Sequence, residues 1–99
     1  MATNLFVDPL HLRLPGGRRF GADPTKSQRQ ISRFGTSIDS LPPLLVTRGK
    51  NGELLLIDGV TRATRVAKLR PGVLVPVVVI DELLDWDLSR FPTVGERLP

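Results

Sequence analysis

With 99 residues, the chain has room for one small domain, near the lower limit of size for folding without staples. A 40% hydrophobic content excludes a disordered chain, and the absence of Cys excludes disulfides, thiolate chemistry and cysteine metal sites. The net charge of +4 divides into +7 through Ile80 and −3 from Asp81 onward, which fits a polyanionic partner or an acidic tail folded over basic surface. His11 is the only histidine, so no zinc site is expected. The start Met1-Ala2-Thr3-Asn4 has no signal-peptide pattern, and no run nears the roughly 18 apolar residues of a membrane span. A soluble cytoplasmic protein without membrane contact is the expectation.

In chain order, Leu5-Phe6-Val7 is a short apolar run, and residues 10–14 alternate as a half-buried strand with His11 and Arg13 on its wet face. Pro15-Gly16-Gly17 forces a turn, with Arg18 and Arg19 exposed beyond it; a solvated loop is the first reading and phosphate contact the second. Asp23-Pro24 starts a helix, because Asp caps free amides and Pro at the first position gives up only an orphan donor. This helix spans residues 24–34, with Gly35 as its stop. Its apolar content is thin, Ile31 and Phe34, while Lys26, Arg29, Gln30 and Arg33 can line one face.

After Leu41-Pro42-Pro43, residues 44–48 form a strand, Gly49-Lys50-Asn51-Gly52 a turn, and residues 53–57 the returning strand. The returning strand is apolar on both faces, which predicts a central place in the sheet. It delivers Asp58-Gly59 to a helix over residues 60–69. That helix buries Val60, Ala63, Val66 and Ala67 and leaves Arg62, Arg65 and Lys68 on a wetter flank. Residues 73–80 read as a strand with Pro76 at an edge or a non-bonded position. Asp81 then caps a short helix covered by Leu83, Leu84, Trp86 and Leu88, and residues 90–99 form a loose tail. The whole, residues 1–99, is one α+β domain: a small mixed sheet with a central hairpin, flanked by two or three helices.

The strand-to-helix turn carries the clearest functional signal. Helix starts leave amides unpaired and attract anions. Gly59 permits close approach there, while Thr61 brings a hydroxyl and Arg62 a cation. Asp58 reads first as a cap, with a water-mediated metal contact as the other reading. No catalytic residue and no set of metal ligands stands out.

The order and spacing of these motifs resemble the ParB/sulfiredoxin superfamily over most of the chain. Asp23-Pro24-Thr25-Lys26 resembles the Asp-Pro-Ala-Lys that opens a helix in sulfiredoxins. Leu41-Pro42-Pro43 follows at the same distance, then the hairpin, and Asp58 to Arg62 resembles the family's Gly-x-x-Arg turn. The closing strand, Leu74 to Ile80, is also similar to its counterpart. The resemblance implies a ParB/sulfiredoxin-like fold and an ATP- or CTP-type ligand with Mg²⁺. Its phosphates would be held by Lys26, Arg29, Arg33, Asp58, Gly59, Thr61 and Arg62. Val60 stands where the sulfiredoxin nucleophile would fall, so sulfinic acid reduction is excluded chemically. Thr61 replaces the phosphate-binding histidine, and Arg29 and Arg33 stand where that family has hydroxyls. Against the partition-protein Gly-Glu-Arg-Arg motif, only Gly59 and Arg62 match, and no helix-turn-helix follows.

The leading expectation is therefore a nucleotide- or phosphate-binding domain, with binding better supported than turnover. A nucleic-acid-associated protein, DNA-binding or nuclease, is the second reading; it draws on the basic body but finds no aromatic–basic interleaving. A degenerate protein-interaction module is the third, with residues 83–88 as the docking element.

Overall fold

Four segments rich in leucine and β-branched side chains pair as strands in the computed structural model, which describes residues 3–18, 21, 23–34 and 42–98. They are β1 (Thr3–Val7), β2 (Leu44–Gly49), β3 (Leu54–Asp58) and β4 (Val75–Leu83), in the spatial order β1-β4-β2-β3. β1 and β4 pair antiparallel, as do β2 and β3, while β2 and β4 run parallel. A parallel pair needs a long crossover. Here it consists of β3 and the helix α2 (Val60–Leu69), which carry the chain from the end of β2 back to the start of β4. With the helix α1 (Pro24–Phe34) packed on α2, the domain belongs to the expected α+β class.

The core forms where the sheet meets α2. Leu44, Val46, Leu56, Val75, Val77 and Val79 meet Val60, Ala63, Val66 and Ala67, the four helix positions expected from periodicity. Each fully buried Val or Leu contributes on the order of 1.5–3 kcal/mol. Arg65 departs from expectation: it is 2% exposed rather than on a wet flank, and burial lowers its pKa. α2 is packed by α1 and by residues 9–11 as well as by the sheet, so little of its circumference is open to water.

Residues 10–14 keep the burial expected of alternation but not the strand. Asp8 Oδ1 accepts from the Leu10 N–H at 2.9 Å and starts a 3₁₀ turn, Pro9–His11. Only Arg13 then pairs with β3, donating to Leu54 O at 2.8 Å and accepting from Leu56 N–H at 2.9 Å. Leu12 and Leu14 enter the core on either side of it. This contact explains β3, which lies at the edge of the four-stranded sheet rather than its centre. Its apolar run is covered along that edge by the Arg13 segment, and Ile57 beyond it is 49% exposed.

β4 runs further along the chain than expected. Pro76 lies opposite Phe6 and just before Val77, the first residue of β4 to pair with β2, so its missing N–H costs no bond there. The expected helix after Asp81 does not form. Asp81, Glu82 and Leu83 pair with Thr47, Arg48 and Gly49, and this ladder holds the chain extended. Residues 90–99 are not a loose tail over their described length either. Leu14 N–H donates to Pro92 O and Val94 N–H to Leu12 O, both at 2.8 Å, and Val94 is buried.

The expected positions of Arg19, the Gly35 helix stop and Leu41 lie outside the described residues, as do the side chains of Gln30 and Phe34. Among the described residues, no helix is long and apolar enough to cross a membrane.

Candidate anion site

β3 ends at Asp58, paired in register with Leu45, and the chain must reverse within one residue to start α2. Gly59 makes that reversal with φ 100° and ψ 21°, a left-handed conformation that side chains resist. A Cβ at this position would also collide with Leu44 Cδ2. Glycine is required here for both reasons.

Gly59 is the helix N-cap, and no side chain caps the helix. The first intrahelical bond is Ala63 N–H to Gly59 O at 2.8 Å. The amides of Val60, Thr61 and Arg62 therefore precede the hydrogen-bonded ladder and carry the positive end of the helix dipole. Asp58 does not cap, contrary to its preferred reading from the sequence. Its carboxylate is turned to Arg62, with Oδ2 at 3.4 Å from Nη2, and remains largely in water. At that distance the pair is loose and contributes little. Arg62 Nε is buried and has no hydrogen-bond partner among the described residues. A buried donor left unmet costs on the order of 1–3 kcal/mol, so an incoming acceptor finds this side chain only partly engaged.

These groups face a hollow of about 280 Å³. Asp58, Gly59, Val60, Thr61 and Arg62 form one wall; Pro15, Arg18 and Lys26 form the other. A second hollow of about 230 Å³ adjoins it, lined by Lys26, Arg29, Arg33 and Thr61. Lys26 and Thr61 belong to both, so the two make one trough between α1 and the start of α2. All seven expected binding residues come together along it. Asp23 fixes the helix that carries three of them, accepting from Thr25 N–H at 2.8 Å and Lys26 N–H at 3.2 Å. Those backbone bonds to Lys26 and Thr25 hold the Asp23 pKa below the usual carboxylate value.

Arg18 is the residue for which sequence reasoning ranked phosphate contact second. Placed in a solvated loop by local pattern, it is half-buried at the trough wall because the 3₁₀ turn Gly16–Arg18 bends the chain back toward β3. The double glycine signalled the turn but not its direction. Five cations, Arg18, Lys26, Arg29, Arg33 and Arg62, thus line the trough against the single carboxylate of Asp58. Convergent charge of one sign in a recess concentrates the local field.

The other recesses lack this arrangement. One of about 390 Å³ holds Asp8, His11 and Glu53, but Asp8 is engaged as a cap and Glu53 accepts from Asn51 through both oxygens. Among the described residues, no group of three or more His, Asp or Glu side chains could hold a metal ion. No protein-family model matches the chain, and no curated protein matches it.

Proposed function

We propose that this domain binds the phosphates of a nucleotide or another phosphate-bearing ligand in the trough between α1 and the start of α2. The observation that carries the reading is the uncapped α2 start, opposed across the trough by cations from two other segments, with one exposed carboxylate among them. Phosphate oxygens would accept from the amides of residues 60–62 and from Arg62, while Lys26 and Arg29 neutralise charge from the facing helix. Hydrogen bonds to a charged group contribute about 1.5–3 kcal/mol each, and part of that gain offsets the cost of association. The order of motifs that resembles the ParB/sulfiredoxin superfamily supports ATP or CTP with Mg²⁺ as the first ligands to try. Asp58 is the carboxylate among the described trough residues, and it would meet the metal through a water. The proposal is one of binding and does not extend to turnover.

Titrating ATP and CTP, each with Mg²⁺, into isotopically labelled protein should shift the amide resonances of Gly59 through Arg65. Arg62→Ala should weaken that response about tenfold, a loss of one charge-assisted contact. An unchanged spectrum at millimolar nucleotide would overturn the reading. DNA or RNA draws on the same exposed cations of α1; binding by duplex alone, lost steeply with salt, would move the assignment to nucleic acid.

A further inference from the structure

The turn after β4 presents an apolar knob flanked by acid. Leu84 and Trp86 are each 58% exposed, and Asp81, Asp85 and Asp87 near them in the chain are exposed as well; Glu82 is exposed too but paired with Arg48 at 2.8 Å, and Lys50 lies near Asp87. Burying an indole is strongly favourable, so a tryptophan kept in water needs a reason in the local structure. The backbone supplies it. Trp86 N–H donates to Leu83 O at 2.9 Å, and Trp86 O accepts from Lys50 N–H at 2.8 Å. Asp87 Oδ1 accepts from the Ser89 N–H at 2.9 Å and from its hydroxyl at 2.5 Å. Leu88 is buried against Gly49, where a Cβ would lie only 2.7 Å from Leu88 Cγ. Trp86 is therefore held outward on a turn pinned from both sides. A side chain presented this way loses little freedom on docking.

Charge identifies what it docks on. β2 and β4 are parallel and β3 runs against them, so Asp58 lies where β2 begins and Leu83 where β2 ends. The cationic trough and the acidic knob sit at opposite ends of the sheet and cannot neutralise one another within one chain. We propose that the knob of one copy seats on the Lys26–Arg29 face of α1 of a second copy. Both cations are exposed. A guanidinium or ammonium over the indole face gains cation–π attraction, and the neighbouring carboxylates add charge complementarity. The contact joins two different surfaces, so it either closes, reciprocally or as a ring, or builds an open chain, according to the rotation it imposes.

Trp86 is the only tryptophan, so its emission reports the contact directly. At low salt, raising the protein to about 1 mM, where weak contacts populate, should shift the emission to the blue and raise the sedimentation coefficient. About 0.5 M salt should reverse both by screening. Trp86→Ala should remove the association. Asp81→Lys/Asp85→Lys and Lys26→Glu/Arg29→Glu chains should each stay monomeric, and mixing them should restore association because the charges are exchanged. A wild-type chain that stays monomeric with water-exposed emission at every concentration overturns the proposal. So does association that survives either charge reversal alone, or that mixing fails to restore.

Discussion

Where β2 begins, backbone amides and cations surround an open trough; where it ends, carboxylates flank apolar side chains on a pinned turn. The two ends leave different things unmet. At the basic end the groups without a partner among the described residues are polar: helix-start amides without a side-chain cap and a buried Arg62 Nε. At the acidic end the polar groups largely have partners. Glu82 meets Arg48 at 2.8 Å, Asp87 meets Ser89, and Glu53 meets Asn51. What remains there is apolar surface, Leu84 and Trp86. Unmet donors in a recess suit a small anion; unmet apolar surface with a charged rim suits a macromolecular face.

The largest test of this contrast is Leu88→Ala. It should cost about 3 kcal/mol as a buried leucine truncation. Hydrogen exchange should quicken at Lys50 and Trp86 while the amides of residues 60–62 are unchanged. Equal loosening at both ends would show that the turn is not anchored separately. Gly59→Ala attacks the other end, combining a left-handed alanine with the Leu44 collision. A loss of about 2 kcal/mol is expected, with the α2 resonances displaced and Trp86 emission unmoved.

The smallest effect is on pH, and it reaches both ends at once. Asp23 is held below the usual carboxylate pKa by backbone bonds to Lys26 and Thr25, and Asp87 by the Ser89 hydroxyl and backbone. A lowered folded pKa means that the unfolded chain takes up the proton first as pH falls. Each carboxylate therefore stabilises the fold fully above about pH 4, and the contribution is lost as pH drops through the folded value. Asp23→Asn and Asp87→Asn should each flatten the fall in melting temperature below about pH 4. Wild-type steepness in both variants would remove the two carboxylates from the acid response.

How much of this was legible depended on whether the cause was local. α2 runs from Val60 to Leu69 as read, because a 3.6-residue period and a glycine at its start are local facts. The Asp23-Pro24 start of α1 and the Gly49–Gly52 turn were equally readable. Residues 10–14 show what periodicity does and does not encode. Alternation correctly placed Leu12 and Leu14 inside, but whether the segment became a strand rested on how much of β3 it could pair with. Position within the sheet differs from the reading for β3, since an apolar run does not say which neighbour covers it, whereas Pro76 takes the non-bonded place read as one of its two options. The trough fared better, because all seven of its expected residues lie on elements whose ends were locally signalled. Arg18 escaped because the turn that carries it is aimed by tertiary contacts.

The backbone clasp between Leu12-Arg13-Leu14 and Pro92-Thr93-Val94 has a kinetic consequence. Its halves lie almost a chain length apart, and β1 likewise waits for β4. During synthesis β1 has no strand partner until β4 has emerged, and the Leu12–Leu14 segment, which reaches β3 earlier through Arg13, completes its pairing only with Pro92–Val94, so the core closes late. Closing so long a loop before its contacts reward it slows folding, toward the roughly millisecond-to-second range of topologies dominated by distant pairings. Until then the core is incompletely covered, and the nascent domain is at its most vulnerable to aggregation.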